Sequence, residues 1–130
     1  MSPTSSFDAL QRHKYVSVET FRQSGQGVRT PVWFAGDPAS GTPQTLYVYS
    51  EAESGKAKRI RRNPHVRVAP CDVRGNLQGD WIEAHAEIVT GEEAQLGTRL
   101  LSAKYVLKRV FDVLSKLRGR GRVVFAIRPA

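Results

Sequence analysis

Ser54, Gly55 and Lys56 are the residues whose order most suggests chemistry. They stand in Ser50-Glu-Ala-Glu-Ser-Gly-Lys-Ala-Lys-Arg-Ile-Arg-Arg-Asn-Pro64, where a strand-like run gives way to a basic one. A helix that starts behind a capping Ser presents unbonded backbone N–H groups, and these attract anions. Lys56 adds a point charge in the first turn, and Gly55 permits close approach of the backbone. Together they read as a phosphate site. A solvated basic helix with a capping Ser accounts for the same residues, because charge runs are usually solvated faces. The segment contains no GxxxxGKS/T, so a nucleotide-hydrolysing loop of that type is not supported.

Other side chains carry weaker signals. Arg29 reaches the same anion only if its strand borders the strand ending at Glu51; by itself it reads as an exposed strand arginine. Trp33 and Trp81 are able to stack on a planar ligand, or equally to pack in a core or an interface. His85, between Ala84 and Ala86, reads as structural, and Cys71 as a small buried hydrophobe. No carboxylate pair or nucleophile triad stands out, so no side chain is given a catalytic role. An enzyme built on this chain would draw its chemistry from a cofactor. His13, His65, His85 and the lone Cys71 lack the usual ligand spacings, so no metal site is expected.

The elements that must position these residues follow from periodicity. Tyr15 to Phe21 alternates, with Val16 and Val18 on one side. Arg22 to Gly27 is rich in turn formers, and Val28 to Ala35 alternates again, which together read as a hairpin. Pro31 marks an edge strand or a break in pairing. Gly36 to Gln44 is a loop, and Thr45 to Glu51 is a third strand. The short helix from Gly55 stops at Asn63-Pro64. His65 to Val73 and Trp81 to Val89 are strands around a turn at Asp72–Gly79. Gly91-Glu-Glu opens a long helix whose acids suit its positive end. Its apolar stripe is Leu96, Leu100, Leu107, Val110, Phe111, Leu114 and Leu117, with Lys104, Lys108, Asp112 and Lys116 on a polar face. Gly119–Gly121 ends it, and Val123 to Ile127 is the last strand. Strands in adjacent runs with short turns predict antiparallel pairing: a mainly β fold, about six strands in a barrel-like sheet, one short basic helix and one long helix.

At 130 residues, 40% hydrophobic and 25% charged, the chain is expected to be one domain over 1–130, with a short helix within residues 1–13. No apolar run approaches the ~20 residues of a membrane span, the N-terminus lacks a signal peptide's apolar stretch, and a single Cys suits a reducing cytoplasm. The net charge of +8 asks for an anionic partner. It is concentrated in two places: residues 54–67 carry six bases and no acid, and residues 104–128 carry eight bases against Asp112. Aromatic residues are not interleaved with these runs, which argues against a nucleic-acid module.

The sequence resembles the split-barrel flavin and deazaflavin oxidoreductases related to pyridoxamine 5′-phosphate oxidase, most closely the short coenzyme F420-dependent branch. The matching stretches are Tyr15–Phe21, Arg29-Thr-Pro-Val-Trp-Phe34, Ser54–Pro64, Arg67–Gly75 and Val123–Pro129. The resemblance implies that Ser54 and Lys56 hold a cofactor phosphate, with Gly55 between them and Arg29 helping. It places the ring system near Thr30, Pro31, Val32 and Trp33 and near Tyr49 and Ser50. A polyglutamate tail would run over Lys58, Arg59, Arg61 and Arg62. It further implies a homodimer with the cofactor at the interface, so that Trp81 would come from the other subunit. Two departures matter. The vitamin B6 oxidase has an Arg where Gly55 stands, which removes a ligand for the phosphate of flavin mononucleotide (FMN). Its Arg-, His- and Trp-bearing substrate segment has no counterpart before Ala130, so oxidation of pyridoxine phosphate is not expected. Nor do the further His-bearing segments of haem-degrading relatives appear. The expected function is an F420-dependent reductase acting on a small unsaturated or conjugated acceptor. An FMN-binding oxidoreductase or flavin carrier is the alternative, and a cofactor-less sensor or structural dimer a further one.

Overall fold

The computed structural model describes residues 10, 13–37, 39, 45–104 and 122–130. The described elements are β1 (Tyr15–Phe21), β2 (Gly27–Trp33), β3 (Ala35–Asp37), β4 (Thr45–Glu51), α1 (Gly55–Arg62), β5 (His65–Cys71), β6 (Ile82–Val89), α2 (Gly91–Lys104) and β7 (Arg122–Pro129). All the described strands join one antiparallel sheet in the order β2-β1-β5-β6-β7-β4-β3. The alternating runs thus become strands as expected, and Pro31 lies on an edge strand, where its missing N–H costs no ladder bond.

The mainly β fold is as expected, and among the described residues the sheet has seven strands, one more than the six counted from periodicity. The alternation of Val28–Ala35 is cut at Phe34, and the chain resumes as β3 at the opposite edge of the sheet. Only Phe34 separates Trp33 from Ala35, so the two edges approach within about 8 Å there. In a flat sheet they would stand six strand spacings apart, about 29 Å. The sheet must therefore curl into a barrel, and the fully buried Phe34 is the residue at which it does so.

The pleat then sorts side chains into two apolar clusters. Inside the barrel lie Val16, Val18, Phe34, Leu46, Val48, Val66, Val68, Ala84, Ala86, Phe125 and Ile127, joined by Ala57 and Ile60 of α1. Outside, the opposite faces of β4 and β7 present Tyr47, Tyr49, Val124 and Ala126 to α2.

The helix α2 begins where expected, but its buried face is rotated from the Leu96/Leu100 stripe. Gly97 and Leu101 are its buried residues. A Cβ at Gly97 would stand 2.9 Å from both the Tyr47 ring and a Val124 methyl, so the missing side chain is what lets helix and sheet approach. Reading only large apolar residues hides such a contact. Lys104 belongs to this same face rather than to a polar one: its Nζ lies 3.4 Å from the Phe34 ring centroid, and burial pushes its pKa down to about 8. Gly97→Ala is expected to cost about 1–3 kcal/mol through overpacking, read as a lower denaturation midpoint; an unchanged midpoint would refute this close approach. The helix's expected continuation past Lys104, with Leu107 to Leu117, Lys108, Asp112 and Lys116, lies outside the described residues, as do most of residues 1–13 and of the 36–44 loop. No described helix is long and apolar enough to cross a membrane.

Candidate functional site

The junction of β4 and α1 is built by short-range hydrogen bonds. Ser54 holds extended backbone as the N-cap of α1, and its Oγ accepts from Ala57 N at 3.1 Å. The same Oγ lies 2.8 Å from Ser50 Oγ, where either hydroxyl can donate. The end of the strand and the start of the helix are thereby fixed to each other. By helix geometry, Gly55 N–H and Lys56 N–H have no partner within the helix.

Two cations, Lys56 and Arg59, converge on this turn. Arg59 folds back along the helix, and its Nε donates to Thr20 Oγ1 on β1 at 2.6 Å. Its Nη1 stands 2.7 Å from where a Cβ at Gly55 would be. Gly55 has no positive φ; its lack of a side chain serves to admit this guanidinium. Lys56 is half-buried, and no described residue bonds or pairs with its ammonium. Burial, then the charge of Arg59, pushes its pKa down to about 8. Burial and the charges of Arg22 and Arg62 lower Arg59 in turn. Cations that depress one another with no acid between them are relieved by an anion. Ser54, Gly55, Lys56 and Arg59 therefore fit a phosphate group.

Other basic side chains of α1 are tied to backbone. Arg61 Nη1 donates to Ala52 O at 2.9 Å and Arg62 Nη2 to Phe21 O at 3.4 Å, while Lys58 is exposed. Thr20 and Arg22 were not singled out from sequence. They lie more than thirty residues before Arg59, and no local signal marks them.

The remaining sequence-predicted residues are placed elsewhere. In the sheet, β2 and β4 are not paired, so the condition for Arg29 to join this anion is not met within one chain. Arg29 is registered opposite Glu19, on the face of β1 turned away from Val18 and α1. Thr30 is registered with Val18 and is half-buried, as is Val32; Pro31 is exposed; Trp33 packs against the outer cluster. Tyr49 lies in that outer cluster, and Ser50 alone of the ring-side pair meets Ser54. His85 is not enclosed by its flanking alanines: it is exposed, edge-on to His65 at 6.4 Å. Cys71 is buried, and burial together with Asp72's charge pushes its thiol up to about 11. Among the described residues no three His, Cys, Asp or Glu are grouped to hold a metal ion.

A cavity of about 430 Å³ lies between α2 and β6–β7, lined by Ile88, Val89, Ala94, Thr98, Val123 and Val124 among others. It does not include Lys56, but Val123 is the cross-strand partner of Ser50.

Comparison with known proteins adds to this geometry. Residues 5–130 match the model of the family described as pyridoxamine 5′-phosphate oxidase. None of the curated proteins searched matches the chain. Among solved structures, the chain is similar to the protein Rv2991 of Mycobacterium tuberculosis, at 23% identity and a TM-score of 0.68, covering 99% of this chain and 81% of that one. It is similar to a protein named F420 reductase at 20% identity and a TM-score of 0.59, over 95% and 92% of the two chains. It is also similar to HutZ, the heme storage protein of Vibrio cholerae, at 14% identity and a TM-score of 0.70, over 100% and 92%. At these identities the structural likeness is one of fold.

Proposed function

The chain belongs to the pyridoxamine 5′-phosphate oxidase family, and from that premise we propose that it is an oxidoreductase that binds coenzyme F420 and reduces a small unsaturated or conjugated acceptor. One observation carries the reading: Lys56, half-buried beside Arg59 at the capped start of α1, has no acid paired with it among the described residues. Ser54, Lys56 and the first N–H groups of α1 hold the cofactor phosphate, and Arg59 adds a second charge over Gly55. The exposed Lys58 faces solvent where an anionic tail would leave the site. When bound, the reduced deazaflavin supplies a hydride. The protein's contribution is to fix the phosphate, align the ring with the acceptor and exclude water. The working unit is a homodimer with the cofactor at its interface, which lets residues of β2 that do not reach Lys56 within one chain act across subunits. FMN is the alternative cofactor, since its phosphate meets the same cations. Gly55 disfavours it by replacing an arginine ligand that the vitamin B6 oxidase supplies.

The test is a parallel titration of the purified protein with oxidised deazaflavin and with FMN. Saturable deazaflavin binding at about 10 μM or tighter, roughly −7 kcal/mol, is expected. Binding of neither sinks the proposal, and tighter FMN binding transfers it to the flavin.

A further inference from the structure

Thr20 stands two residues beyond Val18 on β1, on the face that the pleat turns to the barrel interior, and it is buried. The end of β1 lies against α1. Two arginines cross from the helix to this strand end. Arg59 Nε donates to Thr20 Oγ1 at 2.6 Å, and Arg62 Nη2 donates to Phe21 O at 3.4 Å. The first bond is short and its acceptor is buried; the second is long and exposed. Thr20 is therefore the group that fixes the direction of a guanidinium.

Because Thr20 takes Nε, the two terminal amino groups of Arg59 are left without a partner among the described residues. Nη1 stands 2.7 Å from the Cβ position of Gly55. An arginine from the second turn of α1 thus occupies the space that a side chain at residue 55 would take. Glu51 and Glu53, on the turn before Ser54, make no ion pair with Arg59 or Lys56. Burial, then the charges of Arg22 and Arg62, lower the Arg59 pKa, and burial, then Arg59, lowers that of Lys56. Repulsion and hydration both draw such a guanidinium outwards, away from Lys56. A hydrogen bond from the barrel holds it against them, in an arrangement that an anion relieves.

We propose that Thr20 is a positioning residue for anion binding: its hydroxyl aims the Arg59 fork over Gly55, beside Lys56, where the phosphate of the ligand is received. The inference rests on the phosphate reading of this turn and not on which cofactor carries the phosphate. A surface arginine loses rotamer freedom when it grips a ligand, and fixing the fork beforehand removes that cost. The two amino groups left over match two phosphate oxygens. Thr20 acts through Arg59 alone.

The test compares Thr20→Val, which keeps the shape and removes the acceptor, with Thr20→Ser, which restores it. Two quantities are read: the binding midpoint for inorganic phosphate, and the ionisation of Lys56 in the free protein, followed by NMR at its Cε. T20V should raise the phosphate midpoint about fivefold or more. Lys56 should then titrate above its parent value of about 8, because Arg59 no longer stands beside it. T20S should return both to near the parent values. Gly55→Ala displaces the same guanidinium from the other side. It should move both quantities as T20V does without lowering the denaturation midpoint, since Ala favours a helix over Gly; it carries the test alone if T20V does not fold. A merely structural Thr20 would lower the denaturation midpoint and leave both quantities unmoved. The proposal is overturned if the displaced variants bind phosphate as tightly as the parent, if Lys56 titrates unchanged in them, or if the parent shows no saturable phosphate binding. A parallel titration with oxidised deazaflavin separates the two readings. If the deazaflavin does not bind while T20V still weakens phosphate, the cofactor reading fails and the role of Thr20 stands.

Discussion

Replacing Phe34 with Ala is expected to remove about 3–5 kcal/mol of folding stability, the range for a fully buried aromatic side chain. Against a total stability of about 5–15 kcal/mol for a domain, that leaves the variant marginal. Two effects add. The phenyl ring sits in the barrel interior at 0% exposure, so its removal opens a cavity among packed aliphatic groups. It also stands at the only residue between β2 and β3, the two edges of the sheet, so the cavity opens where closure depends on local packing. The Lys104 ammonium, 3.4 Å from the ring centroid, loses its aromatic face as well. Phe34→Leu, which refills most of the volume, should cost less than half as much. Urea denaturation measures both. A loss below about 1 kcal/mol for F34A would show that closure does not run through this residue.

The second large effect concerns binding. Lys56→Ala should weaken a phosphate-bearing cofactor roughly 10- to 100-fold, the equivalent of one hydrogen bond to a charged group. Stability should change little, since the ammonium contacts no described acid. The pH dependence gives a sharper signature. In the free protein Lys56 loses its proton at about pH 8. A bound phosphate favours the charged amine and so raises this pKa. Below pH 8 the lysine is charged with or without ligand, and affinity is flat. Above pH 8 the free protein must take up a proton in order to bind, so affinity should fall by up to about tenfold per pH unit. In K56A that fall should vanish. The other lysine pushed to about 8, Lys104, lies against Phe34 and serves as an internal contrast. Parent affinity that stays level between pH 7 and 10 would remove Lys56 from the site.

Much of the architecture was legible because the signals are local. The alternation of Tyr15–Phe21, Thr45–Glu51 and the strands after Pro64 reports a pleat of period two, and each run became a strand of one antiparallel sheet. The cap at Ser54 was legible because its partner, Ala57 N, is three residues away. Misreadings came where neighbours in space are distant in sequence. A three-residue strand such as β3 leaves no periodic trace, and its pairing with Tyr47 belongs to the barrel. The buried face of α2 runs through Gly97 because Tyr47 and Val124 come close to it.

The candidate site divides the same way. Sequence alone determined that a capped basic helix follows a strand, and that its first turn can meet an anion, because caps and helix ends are set within four residues. Tertiary structure decided which charges are spent. Arg59 is turned back over Gly55 by Thr20, and Arg29 is carried to the other face of the sheet, where Glu19 and Trp81 hold it. Lys56 is left half-buried, with no partner for its charge among the described residues. Charge counts are additive along a chain, whereas pairing and desolvation depend on what the fold brings within a few ångströms. The composition therefore announced a basic protein, and only the folded sheet showed which of the described positive charges meet a partner and which do not.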